Sequence, residues 1–304
     1  MQETKPSFLK LKKRYLSFIQ KQENFGQLFY DKLGQLKKFY LPMSNSIYKS
    51  YIKKKEPIII GLSGGQGSGK STIAQILKII LECKFKLNVV YFSIDDFYKT
   101  FKERKEMAKK IHKLFLTRGV PGTHDTSLLK RVLHNLLKKN FKPFLIPLFD
   151  KSNDDRYPKQ NWKKIVKKPD IIIFEGWCVS AKSQTKNLKK PINKLEKEFD
   201  KDLIWRKKVN NELKNKYNKI FKLIDKNIFL KVPNFSYVYK WRILQEKKLK
   251  FLAKGKKIMT KNEVKKFVMH YERITRDMIK DLKTSADVVI GIDKKHRFYK
   301  IKMS

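Results

Sequence analysis

Residues 58–74 read IIIGLSGGQGSGKSTIA, and this stretch decides the fold. Three β-branched residues precede a glycine-rich turn, which is followed by a lysine, two hydroxyl residues and apolar residues at helical spacing. Such an order predicts a buried strand, a tight loop and a helix. Residues 64–71, GGQGSGKS, match the pattern G-x-x-x-x-G-K-[ST], whose backbone N–H groups bind phosphate oxygens. We therefore expect a phosphate-binding loop.

The positions of this loop have separate predicted roles. Glycine permits the backbone to curl so that successive N–H groups point inward at an anion. Lys70 is expected to reach the β- and γ-phosphates, and the Ser71 hydroxyl to ligate Mg²⁺. A helix from Thr72 onward would add its positive N-terminal end. The stretch thus predicts a site for a nucleoside triphosphate with Mg²⁺, formed by Gly64, Gly65, Gln66, Gly67, Ser68, Gly69, Lys70, Ser71 and Thr72.

Composition limits the classes of protein to which the chain can belong. It has 304 residues, 41% of them hydrophobic, which is enough for a sizeable core. Lysine and arginine outnumber acidic residues by 73 to 28, giving a net charge of +45. That charge would favour nucleic acid or an anionic surface. The lysines are spread along the whole chain, however, and no nucleic-acid-binding motif is present. We read the charge as solvated surface and do not expect a nucleic-acid partner.

Localisation follows from the segments and cysteines that the sequence contains. The first residues lack the uninterrupted apolar core of a signal peptide, and no apolar run approaches the ~18 residues of a membrane helix. Cys83 and Cys178 lie far apart and form no metal-binding or disulfide pattern. We expect a cytoplasmic protein without a membrane partner, and the sequence does not indicate its oligomeric state.

The first part of the chain is helical in pattern. Residues 7–53 carry apolar positions at helical spacing, interrupted at Pro42 and Ser44, with a further short helix expected from Ile47 to Ile52. We expect residues 1–55 to form a helical prefix packed on a main domain.

The main domain, residues 56–304, alternates short apolar runs with helical stretches. Runs too short for buried helices and without polar alternation are typical of strands covered on both faces. The predicted fold is therefore α/β, a P-loop NTPase three-layer α/β/α arrangement with a mainly parallel sheet. Residues 182–227 and 234–282 are expected to be mainly helical, as an insertion and a lid. The predicted strands are Ile58–Leu62, Val89–Ile94, Phe144–Phe149, Ile171–Phe174, Ile228–Val232 and Val288–Ile292.

Acidic residues follow two of these strands. Asp95 and Asp96 come directly after the second strand, and Glu175 ends the run Ile171–Phe174. The carboxyl ends of parallel strands meet at one edge of the sheet, which is where the phosphate loop also lies. One carboxylate of the Asp pair could accept the proton of an attacking hydroxyl, although helix capping is the alternative reading of the pair. We predict that Ser71, Glu175 and Asp95 hold the metal.

The order strand, GxxxxGKS, S-x-D-x-F-Y and I-F-E-G resembles the small-molecule P-loop kinases grouped with phosphoribulokinase, uridine kinase and pantothenate kinase. Within this group the sequence is most similar to the D-glycerate 3-kinase family, from about Pro57 almost to the C-terminus. The stretches that carry the resemblance are SIDDFY (93–98), RGVPGTHD (118–125), FDKS (149–152), FEGW (174–177) and WRILQE (241–246).

The resemblance implies that Asp95 is the general base, assisted by Lys70 and Glu175, with Asp96 beside it on the substrate side. It makes the segment from Arg118 to Asp125 a substrate loop. Arg118 can grip a carboxylate with its planar fork, and His124 can donate a hydrogen bond to a hydroxyl. Asp125 is equally suited to capping the next helix.

Three further cations are candidates for binding anions. Lys151 and Arg156 follow a strand end and could hold the acceptor or the moving phosphoryl group. The family pattern has a glycine-containing spacer before this arginine, and here the residues are Asn153-Asp154-Asp155. Arg242 is expected in a lid over the nucleotide, with an ion pair to Glu246 at i+4 as the alternative.

The resemblance therefore implies an ATP- and Mg²⁺-dependent kinase acting on a hydroxyl of a small anionic metabolite, D-glycerate first. Two alternatives stay open. One is a related kinase for a nucleoside or a pantothenate-like alcohol, and the other, from a different class, is a nucleic-acid-associated ATPase.

Overall fold

The computed structural model describes residues 5–24, 26, 28–184, 187–252 and 259–304. From β1 onward the chain contains both helices and strands. The strands are β1 (Ile58–Gly64), β2 (Val89–Ser93), β3 (Phe144–Ile146), β4 (Phe149–Asp150), β5 (Asp155–Arg156), β6 (Lys163–Ile165), β7 (Ile171–Gly176), β8 (Lys226–Lys231), β9 (Val288–Ile292) and β10 (Phe298–Met303). The α-helices are α1 (Lys5–Asn24), α2 (Lys32–Gln35), α3 (Leu41–Lys54), α4 (Lys70–Phe85), α5 (Phe101–Lys110), α6 (Thr126–Leu137), α7 (Lys194–Phe199), α8 (Ile204–Glu212), α9 (Asn218–Phe221), α10 (Phe235–Leu252) and α11 (Lys261–Ser285).

The main sheet of the described chain has six strands in the order β10-β9-β8-β1-β7-β2. Strand β1 is central and parallel to both β7 and β8, and β2 and β9 extend the parallel set outward. The C-terminal strand β10 pairs antiparallel with β9 at the edge. Because β1, β7 and β2 are adjacent and parallel, their carboxyl ends lie side by side, which brings the predicted loop and acids together.

Helices cover both faces of this sheet. Along β1, Ile58 and Ile60 belong to one core cluster and Ile59 to the other, as the two-residue period of a strand requires. The first cluster is completed by residues of α1, α3 and α4, and the second by residues of α6, α8 and α11. The three-layer α/β/α fold with a mainly parallel sheet is therefore confirmed.

The N-terminal helices pack on the outside of α4. Tyr15 and Ile19 of α1 are fully buried in the core that α4 contributes to. The expected interruption at Pro42 is wrong, since helical backbone continues from Lys32 to Lys54 through a π-helical turn at Leu36–Tyr40. Pro42 follows this π-helical turn, at the second residue of α3. Residues 1–4, 25 and 27 of the predicted prefix lie outside the described residues.

One predicted strand does not join the main sheet. Of the run Phe144–Phe149, only Phe144–Ile146 forms β3, and it pairs antiparallel with β6 in a separate two-stranded ribbon. A second small ribbon joins β4 to β5 and carries the turn from Lys151 to Asp154. The apolar run therefore belongs to a peripheral ribbon, and β7 is the strand that pairs with β2.

The two stretches expected to be helical are so in their described parts. Helices α7, α8 and α9 fill much of 182–227, although Lys226 already starts β8. Helices α10 and α11 fill 234–282. Residues 185–186 and 253–258 of these stretches lie outside the described residues. No helix in the described part of the chain is both long and apolar enough to cross a membrane.

Candidate active site

The phosphate loop is folded between β1 and α4. Gly67 and Gly69 have φ values of 78° and 87°, in the left-handed region that favours glycine. Gly69 precedes the first residue of α4, and no side chain caps that helix. The N–H groups of the first turn are therefore available to an external anion, at the positive end of the helix dipole.

Buried polar atoms in the loop also fit a phosphate ligand. The side-chain amide of Gln66 has buried nitrogen and oxygen atoms that lack a hydrogen-bond partner within the described structure. Unpaired buried polar groups are costly, so a site that leaves them open is suited to a polar occupant. Together with the uncapped helix, these groups support the prediction that a triphosphate binds here.

Lys70, Ser71 and Glu175 form the centre of the loop site. The Lys70 ammonium donates to the Gly65 carbonyl at 3.1 Å, and the Ser71 hydroxyl donates to the Glu175 carboxylate at 2.8 Å. Burial lowers the pKa of Lys70, although the Glu175 and Asp95 carboxylates oppose this shift. Burial likewise raises the pKa of Glu175. An anion at Lys70 and a cation at Glu175 would offset both burial costs.

The oxygens of Ser71 and Glu175 are suited to Mg²⁺. The described residues hold no cluster of three acidic, histidine or cysteine side chains suited to a metal. Mg²⁺ at phosphoryl-transfer sites is normally held by one or two protein oxygens, substrate phosphates and water. The adjacent oxygens of Ser71 and Glu175 fit that donor set. Asp95, the third predicted ligand, has both carboxylate oxygens bound by protein donors.

Asp95 lies in the 3₁₀ turn that directly follows β2. Its Oδ1 accepts a hydrogen bond from the Tyr98 hydroxyl at 2.9 Å, and its Oδ2 accepts one from the Lys151 ammonium at 2.7 Å. Burial raises the pKa of Asp95, but the charge and hydrogen bond of Lys151 outweigh it and hold the pKa well below its usual range. The carboxylate is therefore ionised at neutral pH, which is the form that a general base requires.

A cavity of about 1090 Å³ connects these groups. It brings together both ends of the predicted site, the phosphate loop and the acceptor side. The predicted residues that line it are Gln66, Gly67, Gly69, Lys70, Ser71, Thr72, Asp95, Arg118, Lys151, Glu175 and Arg242. Its wall also includes aromatic residues to which the sequence had assigned no role, namely Tyr98, Phe149, Trp177, Trp241 and Tyr271.

Arg118 lines the cavity and is joined to Asp154, which a second arginine also holds. The Arg118 guanidinium forms an ion pair with Asp154 and donates to the Lys151 carbonyl at 3.3 Å. Arg104 of α5 is fully buried and contacts the same carboxylate at 3.0 Å. Arg104 was not predicted from the sequence, because a single arginine on a lysine-rich helix forms no pattern that indicates burial.

Asp154 explains the departure from the glycine-containing spacer. Its φ is 55°, in the left-handed region that glycine adopts readily and aspartate tolerates better than most residues. The loop therefore keeps a turn that glycine would permit, and adds a carboxylate between Arg104 and Arg118.

The RGVPGTHD segment is fastened largely through its backbone. Trp177 Nε1 donates to the Gly119 carbonyl at 3.0 Å, and the Tyr271 hydroxyl donates to the Arg118 carbonyl at 2.9 Å. Gly119 has a φ of 135°, and a Cβ there would lie 2.0 Å from the Tyr271 hydroxyl. This close approach explains why glycine is required at that position.

His124 of this segment does not line the cavity. Its ring is buried, stacked on Tyr98, and bound through Nδ1 to the Tyr217 hydroxyl at 2.6 Å. Burial lowers the pKa of His124 to about 3, so the imidazole is neutral. The structure thus places His124 behind Tyr98, one layer away from the space predicted to hold the acceptor.

Three further residues from the predicted site do not line the cavity, namely Asp96, Asp125 and Arg156. Asp96 accepts a hydrogen bond from the Ser93 N–H at 3.1 Å in a capping box, so Asp96 caps the 3₁₀ turn, as the alternative reading of the Asp pair proposed. Burial raises the pKa of Asp96 to about 6. Asp125 caps α6 by accepting from Leu128 N–H at 2.9 Å. Arg156 lies 3.7 Å from Asp125 and donates to the Tyr98 carbonyl at 2.9 Å.

Arg242 lines the cavity from α10 and is paired with Glu246. Its guanidinium also lies 5.6 Å from the centre of the Phe267 ring. The predicted alternative for Arg242, an ion pair with Glu246 at i+4, is therefore formed, and Arg242 also lines the cavity. Gly64, Gly65 and Ser68 lie beneath the loop surface and do not line the cavity.

A central parallel strand leading into an uncapped, glycine-rich phosphate loop, with acids at the ends of the neighbouring strands, defines a P-loop kinase fold. Residues 59–238, more than half of the chain, match the family model described as Phosphoribulokinase / Uridine kinase family. The chain belongs to this family of small-molecule kinases.

Individual relatives agree with this assignment. The chain is 39% identical over 225 residues to the uncharacterized kinase mug58 of Schizosaccharomyces pombe, covering 71% of this chain and 78% of the relative. It is 30% identical over 224 residues to the chloroplastic D-glycerate 3-kinase of Arabidopsis thaliana, covering 71% of this chain and 46% of that protein. The structure of a D-glycerate 3-kinase from Cryptococcus neoformans superposes with a TM-score of 0.73 at 21% identity, covering 87% of this chain and 99% of that one, which shows the shared fold.

Proposed function

We propose that this kinase uses ATP and Mg²⁺ to phosphorylate a hydroxyl of a small anionic acceptor, and that D-glycerate is the first candidate. The observation that carries the proposal is the placement of the ionised Asp95 carboxylate in the same cavity as Lys70 and Ser71. Arg118 and Lys151 line that cavity beside Asp95 and supply positive charge for a carboxylate-bearing acceptor. Relatives named as D-glycerate 3-kinases support the choice of acceptor.

The residues suit a direct transfer. Asp95 would accept the proton of the acceptor hydroxyl while that oxygen forms a bond to the γ-phosphorus and the bond to the ADP oxygen breaks. Lys70 and the N–H groups of the loop would stabilise the negative charge on the phosphates. Ser71 and Glu175 would hold Mg²⁺, which when bound neutralises phosphate charge. No phospho-enzyme is required.

An acceptor panel tests the proposal. Purified protein would be incubated with ATP, Mg²⁺ and D-glycerate, uridine or pantothenate, and both ADP and the phosphorylated product would be quantified. We expect product with D-glycerate and none with a Lys70→Ala variant, because the ammonium at the phosphates is lost. Product from uridine or pantothenate alone would reject the glycerate assignment and leave the kinase assignment standing. ATP turnover that needs DNA or RNA would instead favour a nucleic-acid-associated ATPase.

A further inference from the structure

Tyr98 is held rigidly against the proposed base. Its side chain is buried, and its hydroxyl donates to Asp95 Oδ1 at 2.9 Å. One face of the ring stacks on His124 with centroids 4.5 Å apart and planes at 21°. Phe149 meets the same ring edge-on at 5.2 Å. The Tyr98 carbonyl also accepts from Arg156 at 2.9 Å, so both the ring and the backbone of Tyr98 are fixed.

The layer behind Tyr98 is itself held in place. The Tyr217 hydroxyl accepts from Gly122 N–H at 3.0 Å, so its own proton is free to be donated to His124 Nδ1, 2.6 Å away. Tyr217 is fully buried. Burial lowers the pKa of His124, so the imidazole is neutral and carries no charge that would compete for Asp95. His124 and Tyr217 thus form an uncharged, buried support for the Tyr98 ring.

The second donor on Asp95 is of a different kind. Lys151 lies in the turn between β4 and β5, and 61% of its side chain is exposed, compared with 3% for the whole of Tyr98. An exposed lysine on a turn can exchange its partner when an anion arrives, whereas a buried tyrosine cannot. A carboxylate rotates easily about its last side-chain bond, so one fixed donor is needed to hold its plane.

We propose that Tyr98 is the positioning residue of this kinase. Its hydroxyl holds Oδ1 of Asp95 and thereby leaves Oδ2 directed at the acceptor hydroxyl once Lys151 releases it. The inference rests on the proposed role of Asp95 as base and deepens it, because it assigns orientation of the base to a residue that does not itself exchange a proton with the acceptor.

A double-mutant cycle with Tyr98→Phe and Asp95→Asn tests the inference. Tyr98→Phe keeps the ring in its stack and removes the hydroxyl alone. We expect kcat with D-glycerate to fall by about tenfold, the effect of losing one hydrogen bond to a charged group, with KM for ATP unchanged. Asp95→Asn alone should lower kcat by about 10²–10⁴-fold. If Tyr98 acts through Asp95, adding Tyr98→Phe to Asp95→Asn should change kcat by less than roughly twofold.

Tyr91→Phe is the matched control. Its hydroxyl lies on the adjoining strand β2 and accepts from the Gln75 amide at 3.2 Å, so its removal should leave kcat unchanged. Wild-type kcat in Tyr98→Phe, or a full tenfold further loss in the Asp95→Asn background, would overturn the positioning role. Undiminished kcat in Asp95→Asn would instead reject the proposed base. If the wild-type protein phosphorylates another acceptor, the cycle is measured with that acceptor.

Discussion

At the scale of single residues, Arg118 both forms an ion pair within the protein and lines the cavity. Its guanidinium pairs with Asp154 and lies 5.5 Å from the centre of the Phe149 ring, yet 20% of the side chain is exposed. Asp154 is already neutralised by the buried Arg104 on its other side. Two arginines on one carboxylate leave a net positive charge, and only Arg118 can present it to a ligand.

We therefore expect Arg118→Gln to raise KM for D-glycerate by about tenfold or more, the loss of one charge-assisted hydrogen bond to the acceptor carboxylate. KM for ATP should stay within roughly twofold, since Arg118 is not part of the phosphate loop. Steady-state kinetics with each substrate varied in turn would measure both constants.

Arg131→Gln provides the control for this prediction. Arg131 is exposed on α6, and its replacement removes the same charge from the molecule without touching the cavity. An equal rise of KM in both variants would show that Arg118 acts only through the overall field of the protein. A lower melting temperature with unchanged KM would make Arg118 a structural partner of Asp154.

The residues that sequence reasoning brought to the cavity share a local signature. Asp95 directly follows an apolar strand, Glu175 lies at the carboxyl end of another, and Lys70 and Ser71 follow the glycine-rich loop after a third. The carboxyl ends of adjacent parallel strands lie at the same edge of the sheet. The orientation of Tyr98 has no such signature, because its ring packs against His124 and Phe149, which are distant in the sequence. Burial of His124 is equally nonlocal, so its exclusion from the cavity appears only in the folded structure.

At the scale of elements, α10 lies directly on the phosphate loop. A Cβ added to Gly67 would be 2.7 Å from the Trp241 Cβ, and one added to Gly65 would be 2.7 Å from Val238. Trp241 is buried, and the next residue, Arg242, faces the cavity. The helix therefore forms one wall of the cavity and packs against the phosphate loop.

Arg242 should consequently contribute to ATP binding. Its partner Glu246 also accepts from Met259 N–H at 3.1 Å, so the carboxylate would keep a donor if Arg242 turned to a phosphate. We expect Arg242→Ala to raise KM for ATP by about tenfold and to leave KM for the acceptor nearly unchanged.

Arg276→Ala is the matched control for this helix. Arg276 forms the same i,i+4 ion pair with Glu272 on α11, and 58% of its side chain is exposed. It should leave KM for ATP unchanged. If Arg242 serves only its ion pair, Arg242→Ala will lower the melting temperature without a change in KM.

Whether a segment forms a helix or a strand was predictable where its apolar residues repeat with a strong period. Which strands pair with each other was not predictable. The run Phe144–Ile146 has the apolar pattern of a strand. Its partner β6 could not be predicted, because strand pairing joins segments that are distant in the sequence. Strand β10 was missed for a related reason: Tyr299, Lys300 and Lys302 alternate weakly, and pairing with β9 supplies the order that the side chains do not.

At the scale of the whole molecule, buried neutral histidines link stability to pH. His270 of α11 is buried edge-on to Trp205 at 5.9 Å, and its Nδ1–H donates to the Lys266 carbonyl at 3.1 Å. Burial lowers the pKa of His270 to about 4. Arg206 and Arg273, with Glu196, line the same small cavity and add no net negative charge that would favour protonation.

The sign of this link follows from which state binds the proton first. A histidine in the unfolded chain titrates near pH 6.5, about 2.5 units above the pKa of folded His270, so acidification stabilises the unfolded state. Groups with a raised pKa, such as Asp96, act in the opposite sense and make the total slope of the wild type hard to assign. Comparing the wild type with a variant that lacks His270 isolates the contribution of this histidine to the pH dependence of stability.

We expect His270→Phe to flatten the dependence of stability on pH. Phenylalanine keeps a ring against Trp205 and removes the titrating group. Between about pH 7.5 and about pH 5.5, the free energy of unfolding of the wild type should fall by about 1.3 kcal/mol relative to the variant. Urea unfolding followed by tryptophan fluorescence at each pH would measure this difference. His134→Gln, at an exposed position of α6, provides a variant that removes a different histidine. Parallel curves for His270→Phe and the wild type would show that His270 is not held neutral by burial.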